Sequence, residues 1–162
     1  MAGRDPIPGL ETRGWHARLL QIYRYWLSIH PPHGLPGRQH VDPTAIPALL
    51  AGLWLLDVQR APFRLRYRLV GTNITSALGR ELTGLWMDEA HSALRDKPDH
   101  LARYRDLLDS KAPSRKKGTP LFWYDSVYTM IENVILPLAR DGVTVDMIMV
   151  HTVLYTSDGD EL

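Results

Sequence analysis

Residues 53–69, LWLLDVQRAPFRLRYRL, decide the fold. From Phe63 to Leu69 the chain alternates: Phe63, Leu65, Tyr67 and Leu69 fall on one side, Arg64, Arg66 and Arg68 on the other. That is the period of a half-buried strand. Leu53 to Val58 is a nearly continuous apolar run that pairs with it as a hairpin. With a loop at Gln59 to Pro62, Val58 stands opposite Phe63, Leu56 opposite Leu65 and Trp54 opposite Tyr67, which leaves Asp57 beside Arg64 on the wetter side.

Working outward from the hairpin, residues 71–89 hold turns and short helical pieces broken at Gly71, Gly79 and Gly84. Asp96-Lys97-Pro98 opens a longer helix with a stripe of Leu101, Tyr104, Leu107 and Leu108, ending near Ser110. The SRKKG stretch that follows reads as solvated. Residues 119–124 (TPLFWY) end a strand, and two longer strands follow at about 127–138 and 143–155, joined by a turn containing Asp141-Gly142. Upstream, Trp15, Leu19, Ile22, Trp26 and Ile29 recur at spacings of four and three on one helical stripe, which must end before Pro31-Pro32. That spacing suits packing on the chain's own sheet or on the same helix of a twin. Residues 30–40 form a loop, and Asp42-Pro43 caps a short helix over 43–50.

The 162 residues suffice for one core, divided as a helix and Pro-rich loop over 1–34, a domain over 35–155 and a tail over 156–162. Nineteen basic residues against eighteen acidic ones give a net charge of +1, no field to gather nucleic acid or anionic membrane. With no cysteine there is no disulfide, thiolate metal site or cysteine nucleophile. The N-terminus lacks the apolar run of a signal peptide, and no stretch approaches a membrane span, so a cytoplasmic protein without membrane contact is expected.

The words RYRLVGT at 66–72, Leu82-Thr83-Gly84, and Leu136-Pro137-Leu138 followed by Asp141-Gly142 occur in an order that resembles a bacterial PAS-like family over residues 35–155. The resemblance implies an α+β fold: a five-stranded antiparallel sheet in the order 2-1-5-4-3, flanked by helices and preceded by the amphipathic helix. It also implies a sensory role and frequent dimers through N-terminal helices. It names no cofactor, since PAS domains bind flavins, haem, small acids, other proteins, or nothing known, and function must be argued from the site.

The candidate site begins with Glu132 and His151, which any even-numbered loop of the last hairpin puts on one face. Tyr128, Met130, Val134, Met147, Met149 and Val153 surround them there. A carboxylate and an imidazole in apolar surroundings must pair with each other, a hydroxyl, water or a ligand. They are either a structural pair that fixes register or a recognition point in a cavity. Trp54, Leu56, Tyr67, Tyr128, Glu132 and His151 form the expected ligand-binding set. The alternative is a homodimerising adaptor with a filled core that docks through Trp15, Leu19, Ile22 and Trp26. A third class uses Glu132 and His151 as acid and base, but without a nucleophile, serine elbow or paired carboxylates an enzyme is not expected.

Other features are weaker. His30, His33 and His40 share a loop without matching Cys, Asp or Glu spacing, so no metal site is expected. His100, with Arg103 nearby, lies where haem-binding relatives place an axial ligand, but nothing else specifies haem. Asp88-Glu89-Ala90-His91 spells a helicase box without a phosphate cradle. Arg115-Lys116-Lys117 is a single basic cluster without interleaved aromatics, too little for nucleic-acid binding.

Overall fold

The computed structural model describes residues 7, 10–121 and 127–162. Helix α1 spans Ala17–Ser28; short 3₁₀ turns at Arg38–His40, Pro43–Ala45 and Pro47–Gly52 lead into strand β1 (Leu53–Gln59) and strand β2 (Arg64–Val70). Helices α2 (Thr72–Leu78), α3 (Met87–Ala90) and α4 (Ala93–Asp96) follow. A 3₁₀ turn at Pro98–Leu101 then runs into α5 (Ala102–Ser110). Strands β3 (Ser114–Gly118), β4 (Tyr128–Leu138) and β5 (Met147–Thr156) complete a five-stranded antiparallel sheet in the order β2-β1-β5-β4-β3. Element order, strand order and the flanking helices are those the sequence predicts.

Four local expectations are corrected. The first hairpin pairs Val58 with Leu65 and Leu56 with Tyr67, two residues along from the expected register. The shift arises because Gln59 joins the strand opposite Arg64, with its side-chain amide donating to the Pro62 carbonyl, while Phe63 lies in the turn under the Arg105 guanidinium. A shift of two preserves the face of Leu65 and Tyr67, but a bulge between Leu55 and Leu56 sets Leu69 opposite Leu55 and Val70 opposite Trp54, so Leu69 leaves the expected apolar side and Trp54 does not face Tyr67 across the ladder. Asp57 therefore pairs with Arg66 at 3.2 Å, and Arg64 instead forks onto Asp88 and rests over Trp86.

The SRKKG stretch is not a solvated loop but edge strand β3. Its Lys and Arg suit an edge, where charge discourages pairing with another chain. Thr119 to Leu121 lie outside any strand, and the rest of the expected 119–124 strand falls outside the described residues. The last hairpin is also longer than expected, since β5 starts at Met147 rather than Val143. Asp141 Oδ1 accepts the N–H groups of Val143 and Thr144 at 2.9 and 2.7 Å, an Asx-type turn that holds the tip as a loop. The 30s loop docks on that tip: Leu35 N–H donates to the Gly142 carbonyl at 2.8 Å. A Cβ on Gly34, where φ is +86°, would stand 2.5 Å from the same oxygen, so the approach requires glycine.

The sheet separates two layers. Opposite residues share a face, so Leu53, Leu55, Glu132, Val134, Met149 and His151 look one way, and Trp54, Leu56, Ile131, Asn133, Val150 and Thr152 look the other. Helix α1 covers the first face, with Trp26 Nε1 donating to the Pro137 carbonyl at 2.9 Å. The α2–α5 segment covers the second. Trp15, Leu19, Ile22 and Trp26, the expected dimer seam, are 0–8% exposed and belong to the same core as the sheet. Of the two uses open to that stripe, the fold takes packing on its own sheet, because the apolar backs of β4 and β5 need a cover.

Trp26 should accordingly behave as a core residue. Truncation to alanine is expected to cost about 3–5 kcal/mol in urea denaturation. A loss below about 1 kcal/mol, as at a surface position, would contradict this packing.

Candidate functional site

The sheet divides the six residues expected to form one site. Trp54, Leu56 and Tyr67 lie on the face toward α5; Glu132 and His151 lie on the face toward α1. The hairpin loop is even, so Glu132 and His151 do share a face, one pair apart, with Glu132 opposite Val153 and His151 opposite Val134. A register irregularity between Tyr128 and Met130 puts Tyr128 opposite Thr156, which turns it away from Glu132 at the end of the strand.

Glu132 and His151 do not pair with each other. Glu132, 2% exposed, accepts the backbone N–H of His16 at 2.8 Å and lies 3.3 Å from Arg115 and 3.9 Å from Lys117. It is a structural anchor for the start of α1 and for β3. His151 is fully buried beside Gly52, where an added Cβ would meet its ring at 2.9 Å. Burial first, then the charge of Arg18, pushes its pKa down to about 4, so the imidazole is neutral. The acid–base use of this pair fails on the same geometry, since no substrate atom can reach both groups beneath α1.

On the opposite face the sequence expectation meets a different site. Between α5 and the sheet lies a small cleft with a cavity volume of about 50 Å³. Its apolar wall is Trp54, Tyr104, Leu121 and Ile131; its polar wall is His100, Arg103, Lys116, Asn133 and Thr152. Arg103, one turn of helix beyond His100, reaches across to β3 and β4. Its Nε donates to Ser114 Oγ at 2.8 Å, its Nη1 to Asn133 Oδ1 at 2.6 Å, and its Nη2 to the Ser114 carbonyl. All of these acceptors are neutral.

Strand alternation delivers Lys116 to this side. Arg115 and Lys117 point to Glu132, so Lys116, between them and opposite Asn133, points into the cleft. Its ammonium makes no hydrogen bond or ion pair among the described residues. Burial, then the neighbouring Arg103, lowers its pKa, and burial lowers that of Arg103. His100 Nδ1 is buried without a hydrogen-bond partner. Trp54 Nε1 and Thr152 Oγ1 satisfy each other at 2.9 Å.

Tyr67 is stacked beyond Trp54, with ring centroids 5.9 Å apart, and its hydroxyl meets His91 Nε2 at 2.8 Å. Burial raises the Tyr67 pKa far above its ordinary value; burial and Arg80 push His91 down to about 4. The Asp-Glu-Ala-His word thus has structural uses, since Asp88 and Glu89 hold Arg64 and His91 holds Tyr67. Of the loop histidines, His30 is a core residue, 3% exposed, bonded through Nδ1 to the Trp26 carbonyl at 2.8 Å. Among the described residues no group of three His, Cys, Asp or Glu side chains could hold a metal, and no helix is long and apolar enough to cross a membrane.

Sequence reasoning reached Trp54 and noted His100 and Arg103, but missed Lys116, Asn133 and Thr152. The alternation of SRKKG was the available signal for Lys116. Comparison with known families finds that the model of the PAS domain matches residues 15–106, from Trp15 ahead of α1 into α5 and over half of the chain. No curated protein matches.

The two buried neutral histidines set an acid limit on stability. Unfolded, each takes up a proton near pH 6.5; folded, neither does so until about pH 4. Stability should be fully held above about pH 6.5 and fall as the pH drops toward 4, by up to about 2.7 kcal/mol per pH unit for two protons. Urea denaturation between pH 7.5 and 4.5 measures this slope, and His151→Asn should remove about one proton from it. Constant stability from pH 7 to 5 would contradict the burial of both rings.

Proposed function

This chain belongs to the PAS domain family, and on that footing we propose that it is a sensory module whose input is a small molecule seated between α5 and the sheet. PAS domains are generally sensory or interaction modules rather than catalysts. The observation that carries the ligand reading is the cleft's polar lining: among the described residues the Lys116 ammonium has no hydrogen bond or ion pair, and His100, which also lines the cleft, has its Nδ1 buried without a hydrogen-bond partner, beside an apolar wall of Trp54, Tyr104 and Ile131. A packed interior pairs its polar groups, so unpaired ones converging on a concave, partly apolar space mark a binding site.

The same strands offer the input a way out. β3 presents Lys116 to the cleft and Arg115 and Lys117 to Glu132, whose other oxygen holds the start of α1. A ligand that draws Lys116 inward loads the strand that α1 leans on. The homodimer alternative gains nothing from this geometry, because its four seam residues are buried in the chain's own core.

Native mass spectrometry of the purified protein, before and after denaturation, tests the proposal. The folded protein should carry a small molecule that denaturation releases. Ile131→Trp, which fills the cleft, should keep the circular dichroism spectrum and lose the molecule. A wild type that retains nothing and is stabilised by no compound in a small-molecule screen would overturn the ligand reading.

A further inference from the structure

Resting on that ligand reading, we infer that the cleft takes an organic oxyanion, a small carboxylate or phosphate ester with an apolar body, whose charged end meets Lys116 in front of Arg103. The charge inventory on the two faces of one edge of the sheet carries this inference. On the α1 face, Arg115 and Lys117 converge on a buried carboxylate, Glu132. On the cleft face, Arg103 and Lys116 converge on no carboxylate among the described residues. Arg103 and Lys116 lie close enough that the guanidinium disfavours the charged ammonium, and with no counter-charge among the described residues the pair is set to receive an anion. The chain's net charge of +1 makes this excess local rather than a share of a general basic surface.

The two cations have different tasks. Arg103 commits its guanidinium to Ser114 and Asn133, which fixes a positive charge behind the cleft but leaves little of its fork for a ligand. Lys116 makes no hydrogen bond or ion pair among the described residues, so it is the direct contact, backed by a field already in place. A cationic ligand would find no acid among the described lining residues, and a neutral one would leave both charges unanswered. Trp54, Tyr104, Leu121 and Ile131, facing the polar wall, call for an apolar body rather than a bare inorganic ion. The Trp54 indole, bonded to Thr152, also places a fluorophore in the wall.

The test measures Kd by tryptophan fluorescence for matched pairs, acetate to octanoate and benzoate against their amides, with phenyl phosphate and inorganic phosphate as further arms. At least one acid or phosphate ester should bind about tenfold or more tightly than its neutral partner. Phenyl phosphate against benzoate distinguishes the two oxyanions, and inorganic phosphate alone should bind more weakly than either. Lys116→Gln should abolish the preference while melting within a few degrees of wild type, and Lys116→Arg should retain most of it. Acid and amide binding equally in every pair, or Lys116→Gln binding the acids as wild type does, would overturn the inference. Binding of amides, or release of a neutral molecule on denaturation, removes the anion and leaves the ligand cleft standing. If nothing binds and nothing is released, the ligand reading falls, and this inference with it.

Discussion

A buried carboxylate organises one edge of this molecule. Glu132 sits in the middle of β4 at 2% exposure and gathers the His16 N–H, the Arg115 guanidinium and the Lys117 ammonium around it. An ionised carboxylate in such surroundings is tolerable only when its partners are all in place. It therefore dictates three placements at once: where α1 begins, which edge strand lies beside β4, and in which register. A slip of one residue in β3 would send Arg115 and Lys117 to the far face and leave Glu132 with Lys116 alone.

The same constraint makes the two faces unlike. Because Arg115 and Lys117 must look toward α1, Lys116 must look away from it, into the space under α5. Arg103 arrives there from the helix and is held by neutral groups. The α1 face is a closed core in which even the polar members are paired or neutral: Glu132 is clamped and His151 is uncharged. The α5 face keeps a cleft with charge to spare. Strand parity thus sorts the polar side chains between a closed face, which holds Glu132 and His151, and a face with a cleft, which holds Lys116 and Asn133.

This explains what could be read in the sequence and what could not. The order of strands in the sheet came from the family resemblance, whereas the hairpin of β1 and β2 and the helix stripe of α1 rest on apolar periodicity, a strong signal that survived a two-residue register shift over Leu65 and Tyr67 because parity was conserved there. The shared face of Glu132 and His151 was legible for the same reason, since only the evenness of the loop mattered. What periodicity lacks is the identity of the layer above each face. Glu132 and His151 could be placed together, but nothing local said that α1 would cover them. β3 was hidden by composition: five residues with three cations resemble a solvated turn until Glu132 supplies the partner that makes them a strand. Tyr128 was misplaced by an irregularity of the β4–β5 ladder that leaves no mark on the alternation.

Glu132 also joins the cleft to the molecule's outer surface. From Lys116 the path crosses one residue of strand to Arg115 and Lys117, passes through Glu132 to the His16 backbone, and continues from the His16 ring to Glu161 at 3.1 Å. Arg18 on the next residues of α1 holds Glu161 and the Leu162 carbonyl, and Leu162 N–H returns to Leu154 of β5. Every link is polar, and the outer ones are partly exposed, so the far end is weaker than the buried center. Contacts of this kind transmit occupancy only where a ligand binds one of two arrangements better than the other. Under the proposed ligand reading, an anion on Lys116 would pull this short edge strand toward the cleft while the carboxylate of Glu132 holds it toward α1. The strand's position is then a balance between them, and the start of α1 with its attached tail is where a change in that balance reaches the surface.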